Sequence, residues 1–303
     1  IFVMSYARAG AKAGLLAAII SNVLLGLSSL YWKALDEMSP FALLSYRVVF
    51  STVSVTLILL ARKELKCLLL EIKWKDISLH GAAAILVACN WGVFIWASIH
   101  SRVFESGLGY LIAPLFGIGL GLVFYKEFIS VFKGVALFFV VLSVLFLILS
   151  VPGLDFRVYL SIGVTWGAYT WLKKMARLDP VSGLFVESLL LSVMVVALVL
   201  YSDGGIEVPV GLTVIDWSLL LSCGLVSLIP LALFAFAAKN LPLSVMGLLQ
   251  FVLPLTQFCV AVIFYGQIIS FEMLVAFLVI FLGMILVVLE SPIKMFLRIK
   301  RRS

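Results

Sequence analysis

Apolar runs of about 20 residues, each long enough to cross a hydrocarbon core of about 30 Å as a helix, recur along the whole chain. No other feature constrains the fold as tightly. In lipid every backbone amide must be bonded internally, and only helices and closed barrels achieve that. Barrel strands are about 10 residues long and alternate polar with apolar, which the run Val131 to Leu149 does not. The expected fold is therefore an all-α integral membrane protein. Composition agrees: 64% of residues are hydrophobic and 12% charged, against about 45–50% and 25% in soluble domains.

Ten spans account for the chain, at 13–35, 41–60, 77–99, 104–124, 131–149, 156–176, 181–201, 215–237, 243–265 and 270–290. The first lacks a small-residue cleavage site and reads as a retained span, not a signal peptide. Of the 22 Lys and Arg residues, 18 fall on the face that holds both termini, three (Lys33, Arg102 and Arg157) on the other, and Arg47 inside a span. Cytoplasmic loops carry the excess of cations, so both termini are expected in the cytoplasm. The net charge of +7 follows from this orientation and from attraction to lipid headgroups. No basic segment is interleaved with exposed aromatics, so no nucleic-acid partner is expected.

Cys67, Cys89, Cys223 and Cys259 form no disulfide framework, and His80 and His100 stand at opposite ends of one span, too far apart to share a metal. Neither metal nor cofactor is expected.

Sliding the chain on itself gives one recurring offset of 140 residues: FYKEFIS at 124–130 meets FYGQIIS at 264–270, Pro40 meets Pro180, Phe94 meets Phe234, Gly107 meets Gly247 and Pro114 meets Pro254. Spans one to five and six to ten then read as copies, residues 13–150 and 156–290, followed by a basic tail, 291–303. Five is an odd number, so the second copy enters the membrane inverted, the arrangement of many secondary transporters. Pro114 and Pro254 lie within spans and should kink their helices. Gly107, Gly109, Gly117, Gly119 and Gly121 should give span four a face for close packing.

Arg47 sits about 9 Å below the outer surface at 1.5 Å per residue, and the offset carries it onto Glu187, equally deep from the inner side. Three readings are open for Arg47: snorkelling to outer headgroups, a structural pair with Glu105, or one wall of a ligand site. Glu187 is either a hydrogen-bonded structural carboxyl or a proton-coupling site. The roughly 12 Å between the two backbone depths argues against direct contact, so a substrate or water would bridge them. At mid-depth lie Asn90, Trp91, Tyr110, Trp166, Tyr169, Gln250 and Gln257. Asn90, Trp91 and Trp166 are too deep for an interfacial belt and are the preferred pocket residues, although Asn and Gln at such depth also serve as interhelical glue.

SYRVVFS, NWGVFIWA, ESGLGYLIAPL, FYKE and FVESLLL together resemble the RarD branch of the EamA transporters, in the drug/metabolite transporter superfamily, over essentially the whole chain. The resemblance implies ten helices in two inverted repeats, cytoplasmic termini, a central cavity lined by spans 1, 3, 4, 6, 8 and 9, and peripheral spans 5 and 10. Members of that superfamily move drugs, amino acids, aromatic metabolites, nucleotide sugars and S-adenosylmethionine. One departure is Gln267, which stands where the first half has Glu127.

The expected function is a secondary transporter of small amino-acid-like, aromatic or amphipathic metabolites or drugs, by alternating access and as an exporter. Arg47 would grip a carboxylate or other electron-rich group, and Trp91, Tyr110 and Trp166 would pack a ring. A metabolite importer or exchanger is the alternative, and a non-transporting membrane subunit the rival of another class. No Walker motif is present for ATP-driven pumping, and no constellation for catalysis. Monomer and homodimer both stay open.

Overall fold

The computed structural model describes residues 2–126, 130–201, 211–268 and 270–283, with side chains from residue 12 onward except that of Ser244. The described residues fold into helices: α1 (Phe2–Lys33), α2 (Pro40–Ala61), α3 (Leu65–Glu71), α4 (Trp74–Ile99), α5 (Val103–Phe124), α6 (Val131–Ser150), α7 (Phe156–Met175), α8 (Pro180–Tyr201), α9 (Val214–Asn240), α10 (Leu243–Gln250), α11 (Val252–Ile263) and α12 (Phe271–Gly283). Eight of these are long and apolar enough to span a membrane, counting α10 and α11 as one from Val245 to Ile263. The expected sixth span, α7, carries Arg157, Lys173 and Lys174 and falls short in hydropathy; the expected tenth, α12, is described for only 13 residues. Glu127 and the tail 291–303 lie outside the described residues.

Local signals set the helix starts. Ser39 accepts the Ala42 amide with Pro40 at the first helical position, where a missing N–H is harmless. Thr213 and Asp216 form a reciprocal capping box on α9. The short α3, between α2 and α4, was not among the expected elements.

The two span prolines behave differently. The expected ninth span breaks into α10 and α11 at Phe251, three residues before Pro254, whose ring clashes with the carbonyl of Gln250. α5 instead runs unbroken through Pro114.

Close packing in the centre depends on missing side chains. A Cβ on Gly109 would lie 2.7 Å from Ile162 and 2.8 Å from the Tyr159 carbonyl, and Gly163 and Gly167 of α7 meet Ile112 and Phe116 of α5 as closely. The two helices thus exchange glycines across their contact. Gly107 faces Gln257 and the Pro254 carbonyl, while Gly247 faces Ile118 and the Pro114 carbonyl. Gly117 and Gly119 do not extend the packing face expected of span four, because a Cβ at either would meet open space. Around this centre, α6 keeps Phe138, Leu142 and Leu149 exposed, as a peripheral lipid-facing helix would.

Candidate functional site

Arg47 is buried at 3% exposure in the N-terminal half of α2, so it does not snorkel. Its guanidinium carbon lies 3.7 Å from the centre of the Trp91 ring of α4 and 5.0 Å from that of Trp32 of α1. Attraction to the negative ring faces holds a cation there. Among the described residues Nε and Nη1 have no hydrogen-bond acceptor. Glu105 is not its partner: that carboxylate accepts from Arg102 at 2.9 Å, one helical turn away in sequence.

An aromatic chain leads inward from this cation. Tyr110 meets Trp166 edge to face at 5.8 Å, and Trp166 stacks on Tyr169 at 5.4 Å and touches Phe234 at 4.7 Å. Asn90 fixes this layer. Its Nδ2 donates to the Ile162 carbonyl at 3.3 Å and to Thr165 at 3.1 Å, and its Oδ1 accepts from Tyr110 at 2.8 Å. Asn90 is thus the interhelical glue of α4, α5 and α7. Gln250 donates to Thr170 at 3.3 Å; among the described residues its Oε1, both amide atoms of Gln257 and the indole N–H groups of Trp32 and Trp166 have no partner.

Glu187 anchors a second polar layer. Its Oε1 is bonded by Lys173 Nζ at 2.8 Å and by His80 Nδ1 at 2.7 Å, and its Oε2 accepts from Tyr169 at 3.1 Å. Lys173, tallied above among the cytoplasmic loop cations, is 2% exposed. Arg47 is therefore not the sole cation within the spans: the last turn of α7 brings the Lys173 side chain back along the helix to reach the carboxylate. Gly183 leaves room for the imidazole, since a Cβ there would lie 2.6 Å from His80 Cε1. Below this layer Arg177 binds Asp76 at 2.7 Å, Lys174 donates to the Leu241 carbonyl at 2.7 Å, and Lys239 donates to that of Leu178. These bonds tie the C-terminal ends of α7 and α9 to the N-terminal ends of α4 and α8. The Asp76 hydrogen bond also raises Arg177 above the usual guanidinium range. A cleft of about 540 Å³ opens between α2, α4 and α7, lined by Phe41, Leu44, Gly92, Trp96 and Arg157 among others.

The sequence-predicted residues fall into two layers. Arg47, Trp91, Tyr110, Trp166 and Asn90 gather in one layer, and Glu187 and Tyr169 in the other, joined by Lys173 and His80, which sequence reasoning left out. Glu105 stands apart with Arg102.

Eight membrane-competent helices with buried charge among them define a multi-pass membrane protein. The EamA-like transporter family matches this sequence twice, at residues 12–149 and 158–289, and the chain belongs to that family. It is 32% identical over 265 residues to an uncharacterized transporter of Vibrio cholerae, covering 85% of each chain. It is 29% identical over 283 residues to the protein RarD of Salmonella typhi, covering 92% of this chain and 96% of that one. A solved crystal structure with 18% identity shares the fold at a TM-score of 0.66, covering 91% of this chain and 96% of its own.

Proposed function

We propose that this protein is a secondary transporter of small organic metabolites or drugs that works by alternating access in the bacterial inner membrane. It is built from ten spans in two inverted units, 13–150 and 156–290, with both termini and the tail 291–303 in the cytoplasm. The observation that carries this reading is Arg47: a buried guanidinium with unfilled donors between two indole faces, at a depth where charge normally serves a pathway or a ligand. The repeat is supported by the constant offset and by the twofold match of the family. It is supported too by the reciprocal approach of Gly107 to the Pro254 carbonyl and of Gly247 to that of Pro114.

Arg47 grips the substrate, Trp91, Tyr110 and Trp166 pack its body, and Gln250 supplies an acceptor. The layer of Glu187, Lys173, His80 and Tyr169 seals the inner side when the outer cleft is open. Alternating access is reversible, so the imposed gradient sets direction.

Purified protein in liposomes should accumulate one or more radiolabelled metabolites down an imposed gradient, with the Arg47→Gln variant losing that flux. A pH gradient applied across the same vesicles separates proton-coupled from uncoupled movement. Equal flux in protein-free and protein-containing vesicles for amino acids, aromatic acids, nucleoside-derived metabolites and phenicols would refute the reading.

A further inference from the structure

The charge class of the substrate follows from what Arg47 lacks. Among the described residues three carboxylates are buried, Asp76, Glu105 and Glu187. Each is already bound to a cation, Arg177, Arg102 and Lys173 respectively. Arg47 is buried with no carboxylate within 4.0 Å among those residues. The titratable groups whose fields reach it are Tyr31, Tyr110 and Cys223, phenols and a thiol that carry little charge at neutral pH. The spare hydrogen-bonding groups repeat the pattern. Arg47 Nε and Nη1 and the indole N–H groups of Trp32 and Trp166 are donors seeking acceptors. The free amide acceptors among the described residues, Asn22 Oδ1, Gln250 Oε1 and Gln257 Oε1, are neutral groups that take a hydroxyl or amide N–H but do not neutralise an ammonium.

Resting on the transporter reading, we propose that the site is selective for net anions, a single carboxylate or comparable acid on an aromatic or apolar body. It discriminates against zwitterions and cations with the same skeleton. An anion pairs with Arg47 bidentately and leaves no charge over. A zwitterion pairs with Arg47 equally well but brings an ammonium into a dry site whose carboxylates are all taken and whose nearest ring faces, Trp91 and Trp32, are already covered by the guanidinium. A cation adds repulsion from Arg47 to the same desolvation.

The test uses three matched series: 3-phenylpropionate, phenylalanine and phenethylamine; indole-3-propionate, tryptophan and tryptamine; 4-methylvalerate, leucine and isopentylamine. Each compound is titrated onto the detergent-solubilised protein at neutral pH, with binding read from the rise in melting temperature and, for the compounds without an indole ring, also from tryptophan fluorescence. In at least one series the acid should bind saturably and at least tenfold more tightly than its amino acid, and the amine should not bind. Arg47→Gln should abolish saturable binding of the acid, and Arg47→Lys, which keeps the charge but loses the fork, should restore part of it. Both variants are first required to elute as the wild type does on size exclusion. An amino acid or amine that binds as tightly as its acid overturns the proposal, as does an acid bound equally by Arg47→Gln, or no acid bound in any series. Anion binding without liposome flux would instead refute transport and leave the charge selectivity standing.

Discussion

The hydroxyl of Thr52, midway along α2, lies 2.7 Å from that of Ser192 on α8, and the two residues are 140 apart, the offset that relates the two halves of the sequence. A residue can touch its own counterpart only where an axis relating the halves passes between them. α2 and α8 pack against each other, so on the inverted-repeat reading proposed above the Thr52–Ser192 contact would be the pivot of the rocking motion.

A pivot changes little between states, so a covalent link there should be tolerated. Hydroxyls at this distance place the two Cβ atoms within reach of a disulfide. In a background without the native cysteines, the pair Thr52→Cys and Ser192→Cys should cross-link on mild oxidation, seen as a mobility shift reversed by reductant, and cross-linked vesicles should keep most of their flux. Loss of flux on cross-linking, restored by reduction, would show that α2 and α8 slide past each other.

The inner layer gives a thermodynamic prediction. Removing one partner of a buried ion pair strands the other charge, typically at a loss of about 3–5 kcal/mol. Lys173→Met leaves the Glu187 carboxylate with only His80 and Tyr169, and Glu187→Gln leaves the Lys173 ammonium without an anion. Each single substitution should lower the melting temperature of the detergent-solubilised protein sharply. The double variant should recover most of the loss, because no unpaired charge remains. Additive losses would mean that the two groups are hydrated separately.

How much of this was readable beforehand differs by level. Span positions were readable because transfer into lipid depends on local composition, and Arg47 stood out as a charge deep within a span. Lys173 did not, because a lysine near a helix end counts as a loop charge. Whether its side chain turns outward to water or back to a carboxylate depends on the neighbouring helix. Depth could have found its partner layer: His80 is six residues from the start of α4 and Glu187 seven from the start of α8, about 9 and 10 Å at 1.5 Å per residue. By the same measure, Trp91 is eight residues from the outer end of α4 and Arg47 seven from that of α2. Neither pairing appears in the spacing along a single helix. The break before Pro254 and its absence at Pro114 were not separable by sequence, since both prolines remove the same amide and only tertiary packing decides which helix yields.

Asp179, in the loop before α8, links helix capping to pH. Its Oδ1 accepts the amides of Val181 and Ser182 at 3.0 and 3.2 Å, an arrangement whose loss to alanine removes about 1 kcal/mol. Burial pushes its carboxyl up, but hydrogen bonds from the Ser182 side chain and from these amides, with the charge of Lys239, hold it below the ordinary carboxylate range. A depressed folded-state value means that the stabilisation is fully present above the unfolded value of about 3.9 and is lost as pH falls through the lower folded value. The advantage of wild type over Asp179→Ala in thermal melts should therefore hold from pH 5 to 8 and shrink toward pH 3. Asp179→Asn keeps a capping oxygen without a titrating carboxyl, so it should not show that acid loss. An Asn variant whose stability falls in parallel with the wild type would assign the acid sensitivity to other carboxylates.

Two glycines of α5 should respond in opposite directions to the same substitution. Gly109→Ala places a methyl 2.7 Å from Ile162 and 2.8 Å from the Tyr159 carbonyl. The second of these is backbone and yields only if α5 and α7 separate. Overpacking of this kind costs about 1–3 kcal/mol, and here the displaced helices carry Tyr110 and Trp166 with them. Gly119→Ala meets nothing within 4 Å and replaces a poor helix former by the best one, worth about 0.5–1 kcal/mol in a helix interior. Thermal melts should show Gly109→Ala lowered and Gly119→Ala equal to or above the wild type. Binding of the acid probes should weaken in Gly109→Ala alone. A Gly109→Ala protein as stable as the wild type would mean that α5 and α7 stand further apart than the glycine exchange between them requires.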